Sequence, residues 1–341
     1  MNEQFWKGKK ILITGGAGFI GSHVTERLVE LGATVRAVDN LERGKLENIR
    51  STINQIEFLE RDLREKYACE EVCRSMDVVI HLASKVGGIK YYLQKPGQLI
   101  LQNAQIDSFM LQASLQHGVD RYLYASSAHV YPIDRQLSPD ASPLVEEDSV
   151  PAHPDLSYGW AKLLGEKQIE YSIAEGTKLK AAIVRLVGVY GENQELDLET
   201  GSAIPVFMRR AIEYPDHGPF VIWGTGEETR SYCYIDDVVE GLLRAVENLN
   251  THQLLGPLNL GNEGRIRMGE LAERIVQISG KEIEIIRDTS KPTLIWGQAV
   301  SCAKARKVLG GWEPRVSLDE GLRKTYGHLA MRLAKQQVGL G

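Results

Sequence analysis

Tyr158 and Lys162 stand four residues apart in Tyr158-Gly-Trp-Ala-Lys162, at the start of a segment with helical periodicity. That spacing puts a phenol and an ammonium on one helix face. A nearby cation stabilises phenolate and lowers a tyrosine pKa, which a proton-transferring tyrosine requires, although an ordinary surface pair has the same spacing. Upstream, the apolar run Arg121-Tyr-Leu-Tyr-Ala125 leads into Ser126-Ser127-Ala128-His129-Val130-Tyr131-Pro132. Hydroxyls at the carboxyl end of a strand are where a substrate oxygen would sit in a doubly wound sheet, and a serine-rich turn is the plain alternative. His129 can act as acid or base near neutral pH, or serve as a satisfied histidine at a strand end.

A second constellation lies near the amino terminus. Ile11-Leu-Ile-Thr14 is followed by glycines at 15, 18 and 21, and a helical pattern opens there. A pyrophosphate needs backbone N–H groups at close range and the positive end of a helix dipole behind them. Asp39 closes the next apolar run, Thr34 to Asp39. A carboxylate there accepts both hydroxyls of an adenosine ribose and repels a 2′-phosphate, so the pattern points to NAD rather than NADP. Asp62, in Asp62-Leu63, follows a further apolar run and could meet the adenine amine or simply sit in a surface loop.

The elements that must position these groups read as short apolar strands alternating with helices over the first half of the chain. Thr34 to Asp39, Val78 to Leu82, Arg121 to Ala125 and Lys180 to Leu186 are strand-like, whereas Ser22 to Leu31, Ile100 to Gln116 and Tyr158 to Glu175 have helical spacing. This alternation predicts an α/β fold, a doubly wound parallel (Rossmann) sheet with ligands beyond the carboxyl ends of its strands. From about Tyr190 the alternation gives way to a Gly- and Pro-rich stretch. The expected division is a dinucleotide-binding domain over 1–187, with 232–262 returning to it. A smaller interleaved substrate lobe is expected over 188–231 and 263–330, with a tail over 331–341.

The 341 residues are 43% apolar and 25% charged, with a formal net charge of -5. The charges are mixed along the chain, which argues against nucleic acid and for a small-molecule partner. Cys69, Cys73, Cys233 and Cys302 show no metal-ligand spacing, so no metal is expected and the thiols read as reduced. With no apolar stretch of about 18 residues and no signal-peptide pattern, the expected location is the cytoplasm, away from membranes.

The glycine loop, the acid after the second strand, the serine pair and the Tyr158/Lys162 pair, in this order, resemble the extended short-chain dehydrogenase/reductases that act on nucleotide sugars. The resemblance runs from Lys10 to about Tyr326. His81-Leu-Ala-Ser-Lys-Val-Gly87-Gly88-Ile89 and Ile222-Trp-Gly-Thr-Gly-Glu-Glu-Thr-Arg230-Ser-Tyr232 are similar to GDP-mannose 3,5-epimerases, and the first of them also to GDP-fucose synthases. The resemblance implies that Tyr158 is the base, that Lys162 binds the nicotinamide ribose and that Ser127 holds the reacting oxygen. It also implies that Gly15, Gly18, Phe19, Ile20, Asp39, Asp62, Leu63, Leu82 and Ala83 hold NAD. Gly87, Gly88, Ser202 and Arg230 would face the nucleotide sugar.

Three positions depart from those relatives. His129 replaces a catalytic cysteine, Ser202 replaces a lysine or histidine, and Gly188 stands where an asparagine is usual. Trp296-Gly-Gln298 also occupies the region that usually supplies a second diphosphate arginine. The leading expectation is an NAD-dependent epimerase of a nucleotide-linked sugar working through a transient ketone, with His129 as second acid or base. A 4-ketoreductase or dehydratase is the enzymatic alternative, and a non-catalytic dinucleotide-binding protein the third. The resemblance also implies a homodimer formed through 100–116 and 158–175, with Leu101, Ile106, Phe109, Met110, Leu164 and Ile169 as apolar positions that fit an interface or a core.

Overall fold

In the computed structural model, which describes residues 2–216, 218–250, 253–291 and 293–337, seven parallel strands form the main sheet. They are β1 (Lys10–Thr14), β2 (Thr34–Asp39), β3 (Glu57–Glu60), β4 (Val78–His81), β5 (Arg121–Ser127), β6 (Lys180–Leu186) and β7 (Leu254–Leu260), in the spatial order 7-6-5-4-1-2-3. The register runs without a break from Ile11 beside Val78 on one side to Ile11 beside Val35 on the other. β4 and β5 are buried at every residue, which is why they read as continuous apolar runs rather than alternating ones. β3 is only half buried and forms one edge.

Alternate strand residues feed two cores. Ile11, Ile13, Ile80 and Leu123 pack with Val24 and Leu28 of helix α1 (Phe19–Glu30). Leu12, Val79, Tyr122 and Ile183 pack on the other face against Cys69 and Val72 of α2 (Lys66–Cys73), Met110 of α3 (Pro96–Gln116) and Ile169 of α4 (Ser157–Ala174). Helices thus cover both faces of a parallel sheet. Ile106, Met110 and Ile169 belong to this core, so the structure removes them from the expected interface set. Leu101 and Leu164 remain 58% and 45% exposed.

The chain crosses from β3 to β4 on the opposite side of β1, which opens a crevice between the carboxyl ends of β1 and β4. Beyond β6, three small sheets join short segments. Val189–Tyr190 pairs with Cys233–Tyr234, Thr229–Arg230 lies between Ile266–Arg267 and Gly297–Gln298, and Phe220–Trp223 pairs with Ile285–Asp288. The carboxyl-terminal helix runs from Leu318 to Gln337, with Leu333 buried. The expected tail over 331–341 is corrected accordingly: 331–337 continue a helix whose apolar side is covered, and 338–341 lie outside the described residues. Among the described residues, no helix is long and apolar enough to cross a membrane.

Gly188 has a backbone reason for its identity. It sits at φ +57°, and a Cβ there would lie 1.9 Å from the Ser231 carbonyl oxygen. Here the chain leaving β6 and the chain entering Cys233 come into contact, closed by the Cys233 N–H donating to the Gly188 carbonyl. A side chain at 188 would have to push those two segments apart.

Candidate active site

A cavity of about 360 Å³ opens over the carboxyl ends of β1, β2, β4, β5 and β6. Gly15, Gly18, Phe19, Ile20, Asp39, Asp62, Leu63, Leu82, Ala83, Gly87, Ser127, Tyr158 and Ser202 all line it. The loop after β1 wraps tightly because Gly21 lacks a side chain; a Cβ there would sit 2.0 Å from the Gly15 carbonyl oxygen. Helix α1 begins at Gly18 with no side-chain cap, so its first N–H groups are free to meet an anion. Asp39 accepts from the backbone N–H of Ala17 at 3.2 Å and of Leu41 at 2.9 Å. Burial raises its pKa, and those N–H donors oppose the rise. The uncapped helix start, the close-wrapped glycines and the acceptor at the end of β2 fit the pyrophosphate and adenosine ribose of a dinucleotide.

Leu82 and Ala83 are held by β1. Both their N–H groups donate to Thr14 Oγ1, each at 3.0 Å. Thr14 Oγ1 is 2.8 Å from His81 Nδ1, and His81 Nε2 is 3.0 Å from Asp107 Oδ1. With two donors already on its oxygen, the Thr14 hydroxyl proton is left to donate to Nδ1. His81 is therefore neutral and donates through Nε2 to Asp107. Burial keeps the His81 pKa below its ordinary value, in agreement with that tautomer.

Tyr158 lies in the first turn of α4 and is buried, with its ring stacked on Tyr92 at 5.2 Å between centroids. Burial pushes the phenol well above its ordinary pKa, Tyr92 and Asp107 push the same way, and the Ser84 hydroxyl opposes them. Lys162, one turn on, does not line the cavity. Its ammonium is 3.4 Å from Asp107 Oδ1 and 4.5 Å above the centre of the Tyr124 ring. Ser127 ends β5, and its hydroxyl accepts from the His129 N–H at 3.2 Å.

His129 also lies outside the cavity lining and flanks Tyr158 edge-on at 5.9 Å. Its Nδ1 is 3.0 and 3.1 Å from the two oxygens of Asp155, a carboxylate whose side chain is 1% exposed. Ser202 Oγ accepts from Gln194 Nε2 at 3.3 Å. Gly88 does not reach the cavity; its N–H donates to the Thr200 carbonyl at 2.7 Å, so it joins two loops rather than facing a ligand. Arg230 also lies off the lining and donates to the carbonyls of Thr229 and Ile295. Burial depresses its pKa. Gln298 donates to Gln136 and takes no place in the cavity.

Asp107, Asp155, Tyr92 and Ser84 escaped the sequence reading. Asp107 carried a usable signal: Asn103, Asp107 and Ser114 fall at core spacing with Met110 on one stripe of α3, and all four are buried. A buried acid on an apolar stripe requires a buried partner. Asp155 sits in a loop, where spacing carries no such information.

The NAD dependent epimerase/dehydratase family model matches residues 11–261. GDP-mannose 3,5-epimerase 1 of Oryza sativa subsp. indica is 33% identical over 98% of this chain and 86% of its own length. The UDP-glucose 4-epimerase of Thermotoga maritima, solved with UDP-glucose, superposes with a TM-score of 0.83 at 30% identity, over 95% of this chain and 99% of that one. The Thermus thermophilus UDP-glucose 4-epimerase, solved with NAD, gives 0.79 at 26% identity over 94% and 98%. With the cleft described above, these matches show that the chain belongs to the NAD-dependent epimerase/dehydratase family, the extended short-chain dehydrogenase/reductases of nucleotide sugars, and is an enzyme of that kind.

Proposed function

We propose that this enzyme inverts a ring carbon of a nucleotide-linked sugar through a transient ketone, with Tyr158 as the base. The observation that supports this most is that Gly15, Asp39, Ser127, Tyr158 and Ser202 share one cavity. NAD, when bound there, supplies the acceptor and later the donor of a hydride. Tyr158 takes the proton of the sugar hydroxyl, Ser127 holds the reacting oxygen, and Lys162 steadies the nicotinamide ribose. His129, held by Asp155, carries a second proton beside the ketone. The dinucleotide is bound by 1–187 with 232–262, and the sugar by 188–231 and 263–330.

The test is a panel of GDP-, UDP-, dTDP- and CDP-sugars incubated with purified protein in D₂O and followed by NMR. An inverted carbon supports the reading, and deuterium at that carbon that is lost in a His129→Gln variant assigns the second proton to His129. Absence of inversion with every sugar sinks it; net consumption of reduced cofactor or loss of a hydroxyl would favour the reductase or dehydratase instead.

Asp39 gives a cofactor prediction. An Asp39→Ala variant loses a charged acceptor, which is worth about 1.5–3 kcal/mol. Its preference for NAD over NADP is expected to fall by roughly ten- to a hundredfold, read from the two dissociation constants. An unchanged ratio would remove Asp39 from ribose recognition.

The exposed face of α3 and α4 supports a homodimer. Leu101 is 58% exposed, and Trp160, Leu164 and Tyr171 are 43%, 45% and 70% exposed at positions that share one side of α4. Leu164→Glu is expected to convert a dimer to a monomer at micromolar concentration by light scattering, and a parent protein that is already monomeric counts against the pairing.

A further inference from the structure

Asp107 is a buried charge that the proposed chemistry leaves unused. Its side chain is 2% exposed, and three donors converge on its carboxylate. The neutral His81 gives Nε2–H to Oδ1 at 3.0 Å, Tyr124 gives its hydroxyl to Oδ2 at 2.5 Å, and the Lys162 ammonium lies 3.4 and 3.5 Å from the two oxygens. A carboxylate surrounded by donors has no acceptor to take a proton of its own, so it stays ionised. Burial works against that charge, yet Lys162, His81 and Tyr124 hold its pKa below the ordinary value.

We propose that Asp107 is a positioning residue that acts through Lys162, keeping its ammonium charged and fixed one helical turn from Tyr158. This rests on the proposed role of Lys162 toward the cofactor. The chain Thr14, His81, Asp107, Lys162 ties the same β1 residue that holds the N–H groups of Leu82 and Ala83 in the cavity wall to the ammonium. One hydrogen-bonded frame thereby joins the wall of the cofactor site to the buried Lys162 ammonium behind it.

The electrostatics give the sign. Lys162 is faced by Asp107 on α3, by the Tyr124 ring on β5 and, behind Asp107, by the neutral His81 on β4; on its own helix Glu166 adds negative charge. Burial lowers the lysine pKa, and Asp107 is the strongest group opposing that fall. Without the carboxylate, the ammonium gives up its proton at lower pH. A neutral amine loses most of its grip on the ribose hydroxyls.

The experiment is NADH affinity, read by cofactor fluorescence between pH 6.5 and 9, for the parent, Asp107→Asn, Asp107→Glu and Lys162→Met. The carboxamide variant should bind within about threefold of the parent at pH 6.5 and at least tenfold more weakly at pH 9, with Asp107→Glu restoring most of the loss. The same ratio to the parent at both pH values overturns the proposal. Lys162→Met separates the two readings: if it binds NADH like the parent across the range, the role of Lys162 fails and Asp107 falls with it. If it binds weakly while Asp107→Asn shows no pH dependence, only the Asp107 proposal fails. Should Asp107→Asn not fold, Asp107→Asn/Lys162→Met removes both charges. A melting temperature above that of Lys162→Met supports the pairing, and one below it overturns the proposal.

Discussion

Turnover of the Tyr158→Phe variant is expected to fall by roughly 10³-fold, inside the range that a positioned acid or base contributes. The fold should survive, because the ring remains stacked on Tyr92 and only an oxygen is lost. The size of the effect follows from the electrostatics of a buried phenol. Burial pushes its pKa well above the ordinary value, with Tyr92 and Asp107 adding to the push, so the phenol needs positive charge close by to act as a base near neutral pH. Lys162 is the buried cation one turn along the same helix. Rates for the parent and Tyr158→Phe, measured by NMR on whichever sugar reacts, decide the matter. Equal rates would place the proton transfer on another group, with His129 next in line.

What could be read from residues alone divides along a physical line. β2 and β6 were legible to the residue because runs such as Lys180 to Leu186 are apolar over most of their length, as a strand buried on both faces tends to be. The glycine loop and Asp39 were legible because a dinucleotide imposes its own spacing on a strand, a turn and a helix. Helix ends were harder, and 331–337 reads as tail because it has few apolar residues beyond Leu333 to mark a buried side. The partners of charged groups were not legible at all. Asp155 comes within hydrogen-bonding reach of His129 from 26 positions away, and Asp107 reaches Lys162 from 55 away. The first is made where the loop before α4 passes the end of β5 and the second where α3 packs on α4, and no local pattern encodes either approach.

Ser127 also misled in a useful way. Its neighbour Ser126 read as part of a substrate-facing pair, yet Ser126 Oγ turns into the core and donates to Glu166 at 2.5 Å. Alternation along β5 is the cause, since successive side chains point to opposite faces of a strand. Both serines line the cavity, but the Ser126 hydroxyl is committed to Glu166 and anchors the strand.

That anchor leads to the largest stability effect expected. Glu166 on α4 accepts from Arg185 Nε at 2.9 Å and Nη2 at 2.7 Å, and both side chains are 1% exposed. Arg185 also donates to the Glu146 carbonyl at 2.7 Å and to Ser149 Oγ at 3.0 Å, beneath the ring of Tyr131. Replacing Glu166 by alanine strands a guanidinium with half its partners gone, which costs about 3–5 kcal/mol where a buried pair is broken from one side. Chemical denaturation of Glu166→Ala against the parent measures it. A loss under about 1 kcal/mol would mean that the site rehydrates and the pair holds little. Glu166→Leu/Arg185→Met, which removes both charges, should recover much of the loss. The double variant also separates stability from chemistry. Because Glu166 does not line the cavity, though its partner Ser126 does, and Asp107 is the stronger negative group on Lys162, turnover per folded molecule should fall much less than the folded fraction.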